Sequence, residues 1–362
     1  MNSQRLALVL SGGSARVVTQ IGVIKAMEER GIVPDVVVGT SGGAIVGALY
    51  ATGSSSERIK EYFLRVGTNK AAFIDINFPE ILRAILQLDI KKLSGLIYGN
   101  RIENILWHAL GNIQTFGELE KAHDEAPQRF KLLYITAVNL QDGAATIFTG
   151  SRSHQGSSDG FYRICTQLSI REAAHASYTI PGIFKPFACE CTERYDCPCP
   201  RVRALAPNVT SYKEYYVDGG VREYYPIAVA VKVAGAQRVI GVNLGYSGQR
   251  KPGVIDGGLP EILSQVLDIF EVDQLYGDIN DKDVSKAKLI NITPNIYDVG
   301  TFEFHRADEL IDKGYALASS IFDKVGLVKS VDYGAQNQAR LFSNVSTMIF
   351  RRENRFRRIF RR

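Results

Sequence analysis

At 362 residues the chain is long enough for one large core or two domains, and 45% apolar with 22% charged side chains excludes a collagen-like or low-complexity chain. The net charge of +5 sits at one end: RRENRFRRIFRR (351–362) holds seven arginines and one glutamate, leaving 36 basic and 37 acidic side chains elsewhere. A near-neutral body argues against a broad nucleic-acid-binding surface.

RLALVLSGG (5–13) predicts a buried strand running into a glycine turn, and TQIGVIKAMEERG (19–31) a helix stopped by Gly31. VPDVVVG (33–39) is a second buried strand, feeding a helix of small and branched residues that ends near Gly53. SSSERIKEYFLRVG (54–67) opens another helix with serine caps. Strand, helix, strand, helix in this order predicts βαβ units around a mostly parallel sheet, an α/β fold. The apolar run of the first strand is too short for a signal peptide, and no apolar stretch reaches membrane-spanning length, so a cytoplasmic location is expected.

Residues 70–125 change character, with short amphipathic helical segments that predict helical packing or a lid over the sheet. RFKLLYITAVNLQDGAATIFT (129–149) restores the sheet, with Asp142-Gly143 as a hairpin turn. LSIREAAHASYTIPGIFKPF (168–187) reads as a short helix halted at Pro181-Gly182. A cysteine-rich loop over about 186–210 precedes KEYYVDGGVREYYPIAVAVKVAGAQRVIGVNLG (213–245), which reads as strand, turn, helix, strand. A long helix from about 259, the strand AKLINITP (287–294) and a helix over about 306–324 complete the core.

In a parallel sheet, chemistry gathers at the carboxyl ends of the strands. SGGSAR (11–16) follows the first strand, where the amides of Gly12, Gly13 and Ser14 suit an anion nest or oxyanion hole, and equally a structural turn. VVVGTSGGA satisfies G-x-S-x-G at 39–43 between strand and helix, which fits a nucleophile elbow at Ser41 or an ordinary turn with Ser41 as helix cap. A serine nucleophile needs a base. The α/β-hydrolase order would make His305 the base with Asp218 before it, although FEFHRADELIDKG places His305 at a charged helix start. Asp218, in YYVDGGVREYYP after an aromatic and β-branched strand, is the other choice, acting as a carboxylate base directly. The second Asp-Gly-Gly, at Asp256, follows a polar loop and reads as a surface turn and helix cap.

In this order the segments SGGSARVVTQIGV, GTSGGAIVGALYATG, SGLIYGNRIENILWHAL, ASYTIPGIFKPF and VDGGVREYYPIAVAVKVAGAQRVIGVNL resemble the patatin-like phospholipase family over roughly residues 5–325. The resemblance implies a three-layer α/β/α sandwich and a serine acyl hydrolase of lipid esters that uses a Ser-Asp dyad and no catalytic cofactor. It puts the nucleophile at Ser41, the base at Asp218, the oxyanion hole at Gly12, Gly13 and Ser14, and loop support at Arg16. Three positions depart from the family pattern: Val17 follows Arg16 where glycine is usual, Gln20 stands in place of a histidine, and Tyr225 in place of an asparagine. A β-branched Val17 resists positive φ, which keeps a weakly catalytic regulatory or scaffold role at a membrane open beside the hydrolase.

Two appendages lie outside that pattern. CECTERYDCPC carries Cys189, Cys191, Cys197 and Cys199, whose spacing leaves a structural zinc, labile disulfides or plain thiols open. The basic tail over 331–362 places Val345, Ile349, Phe356 and Phe360 near one helical face among arginines, which fits peripheral contact with an anionic membrane surface, an RNA or partner site, or a solvated tail.

Overall fold

A computed structural model describes residues 4–68, 74–87, 93–150, 162–192, 211–245, 251 and 253–327. The expectations for Cys197, Cys199 and the basic tail lie outside the described residues.

Among the described residues nine strands form one sheet: β1 (Leu6–Leu10), β2 (Val36–Thr40), β3 (Leu132–Asn139), β4 (Ala145–Phe148), β5 (Tyr162–Cys165), β6 (Phe187–Thr192), β7 (Ser211–Asp218), β8 (Arg238–Val242) and β9 (Lys288–Ile292). The main path runs β5-β4-β3-β2-β1-β8-β9, while β7 pairs with β3 and β6 with β7. Five pairings are parallel and three antiparallel. The first part of the cysteine-rich segment is therefore strand β6 and not loop.

The central strands read as unbroken apolar runs because both faces are covered. In β1, Leu6, Leu8 and Leu10 enter one core and Ala7 and Val9 the other. The first core is closed by α1 (Val18–Glu28), α2 (Gly42–Ala51), α3 (Ser56–Thr68), α7 (Ile170–Tyr178) and α9 (Ala307–Lys324). The second is closed by the helical segment 227–233, through Val229, Ala230 and Val233. Helices α1 and α9 approach so closely that a β-carbon on Gly22 would stand 2.0 Å from the Ile311 carbonyl. Between β2 and β3 lie α4 (Phe78–Gln87), α5 (Asn100–Leu110) and α6 (Phe116–Glu125).

The register of β3 decides where the site forms. Its residues 132–136 pair with β2, ending at Thr136 opposite Thr40; the next residue, Ala137, pairs antiparallel with Asp218. β7 thus meets β3 where β2 stops, bringing the ends of two strands together on consecutive residues of a third.

α8 (Gly258–Asn280) inverts the usual amphipathic rule. Glu261, Ser264, Asp268 and Glu271 are buried, whereas Leu259, Ile269 and Phe270 are exposed. Asp256 lies exposed in the turn before it, but Gly257 takes the cap position expected of the aspartate.

Candidate active site

The turn from β2 into α2 is held by close packing. A β-carbon on Gly43 would stand 2.4 Å from the Ser11 carbonyl oxygen, so only glycine lets α2 begin against β1. Ser41, between them, adopts φ 56° and ψ −128°, a conformation that L-residues rarely adopt and that costs roughly 1–3 kcal/mol. Its amide donates to Ser177 Oγ at 2.8 Å and its hydroxyl to Asp218 Oδ2 at 2.6 Å. Ser41 occupies the position before α2, yet its side chain makes no capping bond.

Asp218 ends β7 and is 1% exposed. Its Oδ1 accepts from the Gly220 amide at 2.7 Å, which leaves Oδ2 for Ser41. Burial pushes the carboxyl up to about 7, against the opposing pull of the bonds from Ser41 and Gly220. Gly219 passes so close to β3 that a β-carbon would stand 2.3 Å from Thr136 Oγ1. Thr40 Oγ1 donates to the Glu223 carbonyl at 2.6 Å and ties the end of β2 to the same turn.

The third segment wraps over the elbow. A β-carbon on Gly12 would stand 3.3 Å from Ser41 Cβ. The Gly12 amide donates to the Tyr224 carbonyl at 3.0 Å and is already engaged. Among the described residues the amides of Gly13 and Ser14 meet no acceptor, and Ser14 holds φ 50°. Arg16 is buried: Nε donates to the Gly13 carbonyl at 3.2 Å and Nη2 to both Asp268 oxygens at 2.7 Å. Burial alone would lower the Arg16 pKa, but the Asp268 carboxylate outweighs it and the guanidinium stays charged.

The unusual positions fit without distortion. Val17 sits at φ −61° in ordinary right-handed geometry, so the turn needs no glycine there, and its side chain packs over Gly42. Gln20 Nε2 donates to the Ser11 carbonyl at 2.8 Å, and Tyr225 donates to Asn291 Oδ1 at 2.8 Å.

Ser14 and Ser41 stand in the wall of a cavity that is partly open to solvent. The rest of the wall is almost wholly apolar, drawn from α2 and α3 (Ile45, Phe63), the segment expected as a lid (Ile74, Ile97, Ile102) and Phe302 and Phe304. His305, next to Phe304, is exposed on a short 3-10 turn, and the Ser41 hydroxyl is directed to Asp218. Ser177, Tyr224 and Asp268 escaped the sequence reading because their contacts span 136, 208 and 252 positions.

The family model for patatin-like phospholipase matches residues 8–231, which hold Ser41, Asp218, the turn after β1 and Tyr224 but not Asp268, Asn291 or the 302–305 segment. A lysophospholipase NTE1 of Eremothecium gossypii is 21% identical over 346 residues, covering 90% of this chain and 18% of the relative. A lysophospholipase nte1 of Aspergillus niger is 42% identical over 80 residues, covering 21% of this chain and 5% of the relative. The chain therefore spans less than a fifth of the length of these curated relatives. Among solved structures, VipD from Legionella pneumophila superposes with a TM-score of 0.47 at 16% identity, covering 89% of this chain and 67% of that one.

Proposed function

Because the chain belongs to the patatin-like phospholipase family, we propose that it is a serine acyl hydrolase that cleaves fatty-acyl esters of phospholipids, lysophospholipids or related lipids through Ser41 and Asp218. The observation that carries this reading is the 2.6 Å hydrogen bond from Ser41 Oγ to a buried Asp218 beside an apolar cavity. Asp218 Oδ2 takes the hydroxyl proton as Ser41 Oγ attacks the ester carbonyl. The Gly13 and Ser14 amides donate to the tetrahedral oxyanion, while the acyl chain lies against Ile45, Ile97 and Phe304. Collapse of that intermediate expels the alcohol, which takes the proton from Asp218. Water, deprotonated by Asp218, then releases the fatty acid and restores Ser41. Ser41→Ala and Asp218→Asn are each expected to abolish hydrolysis of a short acyl-nitrophenyl ester; unchanged turnover in either variant contradicts the assignment.

Substrate lipid reaches the cavity from a lipid surface. α4 turns Phe78, Leu82, Ile85 and Leu86 toward solvent. The exposed Ile76 that precedes it bridges Ile97 of the cavity wall, so the apolar surface continues inward. No helix among the described residues is long and apolar enough to cross a membrane, and α4 is suited to lie in the interface. Deleting residues 345–362 tests whether the basic tail adds attraction to anionic vesicles; unchanged sedimentation with them removes the tail from this role.

A further inference from the structure

The inward face of α8 bonds to the turn after β1, to the turn after Asp218 and to Thr301. Glu261 accepts from the Thr301 amide and hydroxyl at 2.9 and 2.8 Å, and the Thr301 carbonyl accepts from the Ala15 amide at 3.1 Å. Asp268 holds Arg16, and Gln274 donates to the Gly220 and Val221 carbonyls at 3.2 and 3.0 Å while accepting from the Tyr224 amide at 2.9 Å. With Ser264 and Glu271 between them, Glu261, Asp268 and Gln274 form a row spaced three or four residues apart, which keeps them on one face.

Tyr224 joins the two halves. Its carbonyl accepts from the Gly12 amide, and its hydroxyl donates to Asp268 Oδ1 at 2.7 Å and accepts from Arg16 Nη2 at 3.2 Å. Its ring lies between the two loops: a β-carbon on Gly12 would stand 3.2 Å from Tyr224 Cε2, and one on Gly220 would stand 3.0 Å from Cδ2. One side chain therefore touches the loop with the free amides and the turn that bonds Asp218 Oδ1.

A buried ion pair is a weak source of stability, since apolar residues of equal volume pack as well; its distinctive property is fixed geometry. Oxyanion donors must stand at about 2.7–3.1 Å from the position the oxyanion takes, and a misplacement of about 1 Å costs on the order of 100-fold in rate. We propose that Tyr224 and Asp268 are positioning residues that hold the Gly13 and Ser14 amides in register with the Ser41–Asp218 pair. The proposal rests on the reading of the site as an acyl-transfer centre. Neither residue touches the substrate; both act through Arg16 and the Gly12 anchor.

The test compares wild type, Ser41→Ala, Tyr224→Phe and Asp268→Asn on a soluble acyl-nitrophenyl ester and with a fluorophosphonate, whose phosphoryl oxygen occupies the oxyanion site. Asp268→Asn is expected to lower kcat about 100-fold and Tyr224→Phe about 10-fold, with KM changed less than about threefold. Fluorophosphonate inactivation should slow in the same proportion, and the pH midpoint of kcat/KM should stay at its wild-type value. A residue needed only for folding would lower the melting temperature and leave kcat per folded molecule and the inactivation rate intact. If Asp268→Asn does not fold, Tyr224→Phe decides, because it keeps the ring and removes one hydroxyl. Turnover and inactivation within twofold of wild type in folded Tyr224→Phe overturn the positioning role while leaving the hydrolase reading in place. A wild type with no more activity than Ser41→Ala takes both down.

Discussion

Ser41 and Asp218 are separated by 177 positions, yet each was legible in the sequence because its signal is local. Both stand at the end of a strand and are flanked by glycines whose β-carbons would collide with a neighbouring strand or loop. Ser177 carries no such mark, since a serine inside a helix gives no sign that it accepts from a strained amide elsewhere. Ser177→Ala leaves the buried Ser41 amide without that acceptor and should destabilise the fold by roughly 1–3 kcal/mol, measured by denaturant unfolding. The Asp218 carboxyl, lifted to about 7, must lose its proton to act as a base, so kcat/KM should rise with pH around a midpoint near 7. Stability runs the other way. From about pH 4 to pH 7 the unfolded chain releases a proton that the folded chain keeps, so rising pH removes stability. Asp218→Asn should therefore be inactive but gain in melting temperature over wild type, by a margin that widens across that window. A constant margin would show that Asp218 ionises as easily folded as unfolded.

At the scale of elements, the alternation of strands and helices was readable because buried strands and capped helices have different periods. Less readable was the junction at which β7 takes over beside β3 from β2, since an antiparallel return over so long a separation leaves no local trace. The orientation of α8 was equally hidden, because apolar periodicity assigns the apolar face inward and here Glu261, Ser264, Asp268 and Glu271 are buried beside Leu267. Gly219→Ala tests the junction: a β-carbon 2.3 Å from Thr136 Oγ1 must push the turn off β3, and hydrolysis should fall at least about 100-fold. α4 makes a separate prediction. Replacing Phe78 and Leu86 together by serine removes apolar surface that is already exposed, so soluble-ester hydrolysis should hold while hydrolysis of vesicle-borne lipid falls at least about tenfold. Equal rates on vesicles would place lipid contact elsewhere.

Over the whole molecule, the two cores on either side of the sheet give the elbow and the base turn a rigid seat. The approach of α1 and α9 at Gly22 belongs to this frame: Gly22→Val should force the helices apart and lower stability by roughly 2–4 kcal/mol, seen as a lower urea midpoint. The family order of motifs made the architecture legible, whereas the brace built by Tyr224, Asp268 and Gln274 emerged only from contacts between distant segments. The central claim is that Ser41 is an activated nucleophile. Incubation with a fluorophosphonate, followed by intact-mass analysis and peptide mapping, should show a single adduct on Ser41 that disappears in Ser41→Ala and forms far more slowly in Asp218→Asn. An adduct that persists in Ser41→Ala, or a wild type that takes none, contradicts it.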